Sequence, residues 1–422
     1  LRGSTYLASM QAGGKLVLAG PVSGTQDLSV YGEGDTVLGG AIVTGAKALV
    51  KNGKGTLTLS GTGTNTFSGT TTVNAGTLVL AKASGTAGVN AIAGGAVTVN
   101  NGGVLRYAAS SANPDLMGTG AVTLNGGAQL DFNGATDTIG ALTVSASGAT
   151  GETTNLLNTA GGGNLTVASL TVTPAPGQLA RLSSGSGTLT LGGNVTFSGS
   201  AAGRALVSGN LALGAASRTW TVNTGVHSNY DLAVDAVVSG AAASGMTKAG
   251  AGILRLSGAN TYDGNLTVNN SGGTVLLGHR QALGVPSAAR TVSIGTADTL
   301  ALDGVDIYDP NNRIGLTLNG TGDTRYGAVS GALVSLSGSN TVPCAITLAG
   351  ATQIASKSPT GKLTLTGAFS GANGLTVAGP GETALSGTNG AIPSATALAV
   401  VSNGVRVHAG KPRARQQRQP PR

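Results

Sequence analysis

Apolar and polar positions alternate one for one through short stretches of this chain, and the stretches return. Leu57 and Leu59 flank Thr58, and Leu254 and Leu256 flank Arg255, in two units that superimpose almost throughout: KNGKGTLTLSGTGTNTFSGTTTVNAGTLVL from Lys51 and KAGAGILRLSGANTYDGNLTVNNSGGTVLL from Lys248. A position that accepts either Thr or Arg faces water, so its leucine neighbours face a core. This is the two-residue period of a β-strand. Few segments carry apolar residues at the three- and four-residue spacing of a helix. A third, decayed copy begins near Gly374 as GLTVAGPGETALSGTNG.

A finer repeat sets the architecture. Thr–(Val or Leu)–Asn closes a strand with Asn at positions 74, 100, 125, 223, 269 and 319. The intervals fall near whole multiples of about 24 residues, as in a solenoid built from coils of one size. Looser strand endings such as Leu142-Thr143-Val144-Ser145 fill the gaps. Asn-Gly and Gly-Gly pairs follow the strands, at Asn101-Gly102-Gly103 and Asn125-Gly126-Gly127 for example. Those residues take positive φ at low cost, which sharp corners require. The pattern predicts an all-β chain, a right-handed parallel β-helix of roughly 17 rungs and on the order of 80 Å in length. It also predicts a side-chain amide ladder where Asn stacks over Asn.

Composition narrows this further. Aromatic residues are 3% and charged residues 9%, while hydrophobic content is 40% and Gly numbers 72. A core is therefore available, but only a thin one of small side chains, and glycine without a three-residue period excludes collagen. The net charge of +8 is concentrated at one end: Arg406, Lys411, Arg413, Arg415, Arg418 and Arg422 follow the last acid, Glu382. The body lacks basic clusters with interleaved aromatics, so nucleic acid is not an expected partner. The expected organisation is one continuous β-helix over residues 1–404, with repeat units at about 48–80, 245–278 and 374–390. Residues 405–422 read as a basic tail, either a disordered linker or the product of a reading-frame error near residue 403. No run reaches the roughly 18 apolar residues of a membrane helix. The chain opens at Leu1 without a signal-peptide pattern, as an internal piece of a longer protein would.

The two complete units resemble the autotransporter-associated strand repeat, whose usual form is close to GxGTLTLSGxNTYxGxTTVNxGTLxL. The match runs through residues 53–80 and 250–277, and the third copy matches only the first half. Segments such as AVTVNNGGVL at 96–105 resemble the connecting rungs of the same proteins. The resemblance implies a passenger region exported across the outer membrane by a C-terminal β-barrel elsewhere in the full-length protein. It implies a location at the bacterial cell surface, outer-membrane-associated or extracellular. The repeat in that family aids secretion and folding of the passenger. The expected role is a stalk or adhesin with host or matrix ligands, glycans among them. The alternatives are a polysaccharide-active β-helix enzyme and a self-associating matrix component.

Chemistry is sparse. The best acidic cluster is LDGVDIYDPNNR, with Asp303, Asp306, Asp309 and Arg313. Its spacing is not that of a calcium loop, and Asp309-Pro310-Asn311-Asn312 reads as a turn within a solvated loop. Asp131 and Asp137 flank a Gly-containing turn and are expected on a solvated corner. His227, His279 and His408 lie far apart and beside no nucleophile motif, and Cys344, the only cysteine, reads as a small buried residue. Trp220 reads as rung filler. No catalytic residue, metal ligand or cofactor site is expected, and the chain is not expected to be an enzyme.

Overall fold

The computed structural model describes residues 5–83, 89–108, 116–147, 151–199, 202–223, 229–269, 272–385 and, for their backbone, 398–401. These residues form a right-handed parallel β-helix of about 14 turns. Contacts divide the chain into two compact units, Leu1–Gly264 and Asn265–Arg422. Among the described residues the only helical segment is the 3-10 turn Thr324–Val329.

In the first unit the apolar positions stack in columns because parallel pairing puts like on like. Leu57 lies opposite Leu78, then Leu105, Leu130 and Leu156 follow in register. A second column runs Val73, Val99, Leu124, Val144, Val172, Phe197 and Val222. Each step in these columns spans between 20 and 28 positions, so the coil length read from the Asn spacing is the coil length of the fold. Leu57, Leu59, Leu254 and Leu256 are 0% exposed, and Thr58 and Arg255 between them are half-buried on the outer face. Trp220 is 1% exposed and stands opposite Val195 inside the column, as filler.

The second unit repeats the arrangement. One column is Leu266, Val292, Leu316, Ile346 and Phe369, and another is Val275, Leu300, Leu333, Ile354 and Val377. A short third face is made by Ser339–Val342, Lys362–Leu365 and Glu382–Leu385. The turn count falls below the expected 17 because excursions lengthen several coils. Residues 278–289 separate Thr274–Leu277 from Arg290–Ile294, and residues 304–313 separate Thr299–Asp303 from Ile314–Gly320.

The corners need glycine where one coil crosses close over the next. Gly53 and Gly250, at the same place in the two repeat units, both have φ of 77°. A Cβ at Gly53 would lie 2.3 Å from the Gly32 carbonyl oxygen, and one at Gly250 would lie 2.5 Å from that of Val222. Both sites therefore exclude a side chain on conformational and steric grounds.

Candidate functional site: repeat corners and the acidic loops

The predicted amide ladder exists. Asn74 Nδ2 donates to Asn52 Oδ1 at 2.8 Å, Asn100 to Asn74 at 2.7 Å, and Asn125 to Asn100 at 2.9 Å. Ser145 follows Asn125 in register, and its hydroxyl pairs with that of Thr173 at 3.1 Å. Asn223 instead donates to Ser198 Oγ at 3.1 Å. Asn52 extends the row by one rung that the Thr–(Val or Leu)–Asn signature alone does not include.

The repeat units carry two further devices at their bends. Asn65 and Asn260, in the Asn-Thr-Phe and Asn-Thr-Tyr triplets, are 0% exposed. Asn65 Oδ1 accepts from the Ile42 amide at 2.9 Å, while its Nδ2 donates to the Ala91 carbonyl at 2.8 Å. One side chain thus pairs with the rung before and the rung after, where the backbone has left its ladder. Asn260 Oδ1 accepts from the Val238 amide at 2.8 Å in the second copy. Phe67 and Tyr262 fill the core beside them.

Lys51 and Lys248 open the two units and are almost fully buried. In the sequence they stand out only as markers of the repeat. Lys51 Nζ donates to the carbonyls of Asn52 at 3.1 Å, Gly53 at 2.7 Å and Ala75 at 3.1 Å. Lys248 Nζ donates to the Gly250 carbonyl. The signal was present as Lys-x-Gly in both copies: the ammonium pairs with carbonyls of the left-handed corner two residues on. Burial pulls the Lys51 amine down to about 8, and the charge of Asp35 opposes the shift. The folded chain therefore releases this proton near pH 8, while the unfolded chain holds it until near the ordinary lysine value of 10.5. Between those values the unfolded state binds more protons, so stability rises with pH. We expect the melting temperature of wild type, relative to Lys51→Met, to climb from pH 8 to 10.5. A constant difference across that window contradicts the assignment.

The acidic residues depart from the sequence expectation. Asp131 and Asp137 are 0% and 3% exposed, not solvated. Asp131 accepts from Arg106 Nε at 2.9 Å, from the amides of Asn133 and Thr159, and from the Thr159 hydroxyl at 2.8 Å. Asp137 accepts from Tyr107 Oη at 2.8 Å and from the amides of Leu116, Met117 and Thr138. Each carboxylate is tied to groups on neighbouring coils. A buried charge is tolerated where several donors replace water.

Asp309 also departs from a solvated loop. It is 6% exposed and accepts from the amides of Arg313 at 2.8 Å and Ile314 at 3.0 Å, which closes the expected turn. Asp303 and Asp306 are exposed as expected. Asp303 accepts from Ser337 Oγ at 2.6 Å, and Asp306 Oδ1 from the Thr341 amide at 2.6 Å. Alanine at Asp309 is therefore a structural substitution, unlike alanine at Asp303 or Asp306.

Cys344 is buried, and desolvation together with the neighbouring Asp309 carboxylate pushes its thiol well above the usual range. Such a thiol is a poor nucleophile. His279 is half-buried, with Nδ1 accepting from the Gln281 amide at 3.1 Å. His227, His408 and the 405–422 tail lie outside the described residues, as does the end of the third repeat copy. Among the described residues no group of three His, Cys, Asp or Glu side chains could hold a metal ion. Among them, too, no helix is long and apolar enough to cross a membrane.

The passenger-associated-transport-repeat family matches residues 49–80 and 246–277, the two units whose corners carry the buried Lys, Asn and Gly. The chain is 33% identical over 158 residues to an adhesin BmaC autotransporter of Brucella suis biovar 1 (strain 1330). That match covers 36% of this chain and 4% of the relative's length. No solved structure matches the chain.

Proposed function

Because this chain is an autotransporter passenger repeat protein, we propose that it is a structural and adhesive stretch of an exported bacterial surface protein, with no catalysis of its own. Its repeats assist the passenger to fold during secretion. The observation that carries this reading is how the repeat residues are used. The polar side chains that define the unit, Lys51, Asn65, Lys248 and Asn260, all bond to backbone carbonyls or amides of the coils, several of them on neighbouring rungs. Groups committed in this way stabilise stacking and leave nothing for substrate chemistry.

The similarity to an adhesin adds the second half of the reading. The passenger stands at the outer membrane or beyond it, and its partners are ligands on host or matrix surfaces. A C-terminal β-barrel translocator lies elsewhere in the full-length protein. Cells displaying this chain on a translocator are expected to adhere to immobilised matrix or epithelial cells more strongly than cells displaying the translocator alone. Equal adhesion overturns the adhesive role, and depolymerisation of a polysaccharide by the purified chain overturns the absence of catalysis.

A further inference from the structure

Charged side chains are rare in this protein, and most of the described buried ones are committed to backbone or side-chain partners. One place differs. An open cleft of about 340 Å³ in the second unit lies between two of the excursions that lengthen its coils, and it is lined by Gly278, His279, Arg280, Gly304, Val305 and Asp306. Three polar groups with unspent hydrogen-bonding capacity meet there. The Arg280 guanidinium stacks over the Tyr308 ring, 4.6 Å from its centroid, and has no hydrogen-bond partner among the described residues. His279 has its Nδ1 engaged by the Gln281 amide, which leaves Nε2 open. Asp306 has Oδ1 engaged by the Thr341 amide, which leaves Oδ2 open.

The walls are held in place. The Tyr308 amide donates to the Arg280 carbonyl at 2.9 Å, joining the two loops across the cleft. Arg313 Nη1 donates to the Pro286 carbonyl at 3.0 Å, a second tie between them. The Ile307 amide donates to the Thr341 carbonyl at 2.9 Å, fixing the strip that carries Asp306. A site fixed in this way loses little entropy when a ligand arrives. Its volume falls within the range of small-molecule sites, roughly 300–1,000 Å³.

We propose that this cleft binds a neutral, hydroxyl-rich sugar, one or two rings of a surface glycan. The proposal rests on the adhesive reading and gives it a ligand class. The charges select the ligand. A phosphate or sulfate that approaches Arg280 meets Asp306 in the same cleft and Asp303 on the strand that leads into it. A metal cation or polyamine that approaches Asp306 meets Arg280. A sugar hydroxyl both donates and accepts, so a diol can donate to Asp306 Oδ2 while it accepts from Arg280. Gly278 and Gly304 place no side chain in the way, and backbone at that depth allows close approach of a ring.

The test is saturation-transfer NMR on the full chain with neutral monosaccharides and disaccharides of glucose, galactose and mannose. A sialylated trisaccharide, inorganic phosphate and a short zwitterionic peptide serve as contrasts. At least one neutral sugar is expected to give transfer. Arg280→Ala and Asp306→Asn are each expected to reduce it tenfold or more. Both positions are at the surface, and Asn at 306 keeps the oxygen that accepts from Thr341, so both variants are expected to melt with wild type. Transfer to none of the neutral sugars overturns the proposal, as does transfer only to a charged contrast or unchanged transfer in both variants. Adhesion of displaying cells is measured on the same variants. Wild-type adhesion with no sugar transfer sinks the cleft and spares the adhesive reading, whereas wild-type sugar transfer without adhesion does the reverse.

Discussion

Leu256→Asp is expected to be among the most destabilising single substitutions in the first unit. Leu256 is 0% exposed and stands opposite Val234, itself 0% exposed, in the apolar core. An aspartate there has no donor within the column, and an uncompensated buried charge costs about 3–5 kcal/mol or more. The neighbouring change, Arg255→Thr, removes a side chain from the outer face and replaces it with the residue type found at Thr58 in the other copy. Its expected cost is about 0.5 kcal/mol or less. Thermal unfolding followed by circular dichroism separates the two cases. Similar melting temperatures for the two variants would mean that the in-and-out assignment of this strand is wrong.

Asn65→Leu is expected to cost about 2–4 kcal/mol although it replaces a polar residue with an apolar one of similar size. Asn65 is fully buried, and its removal leaves the Ile42 amide and the Ala91 carbonyl without partners. Each buried group left unsatisfied costs about 1–3 kcal/mol. Asn260→Leu removes the bond to the Val238 amide in the second copy and is expected to act in the same direction. Asn74→Ala removes one step of an amide ladder that is only part-buried, and water can replace it, so a change below about 1 kcal/mol is expected. Denaturant titration of the three variants gives the order. Asn74→Ala as damaging as Asn65→Leu would show that the ladder, and not the bend, secures the coils.

Much of the fold was readable because a solenoid writes the same instruction repeatedly. Two copies of one unit in a single chain tell inside from outside at Leu57, Thr58 and Leu59 without any other protein for comparison. The Asn at strand ends gave the coil length, and parallel stacking then brought Asn74, Asn100 and Asn125 together. The roles of the acids were not readable in the same way. Asp131 and Asp137 look like corner residues in sequence, and their burial depends on Arg106, Thr159, Tyr107 and Leu116, which lie 20–30 positions away. No local pattern announces those partners. Lys51 and Lys248 were missed for a different reason: lysine is normally a surface residue, and only the repetition of Lys-x-Gly marks these two as buried. The cleft at His279, Arg280 and Asp306 depends on two excursions that break the period, so the regularity that made the rungs readable gives no information there.

If the repeat residues act in folding the passenger during export, their loss must lower the amount that reaches the surface before it alters anything the surface does. The decisive measurement is display of the chain on a β-barrel translocator, quantified by an antibody to an epitope appended to the chain, for wild type, for Asn65→Leu combined with Asn260→Leu, and for Arg280→Ala. The expected result is a several-fold loss of displayed protein for the paired asparagine variant, with Arg280→Ala at the wild-type level. Equal display of all three would contradict the role assigned to the repeats.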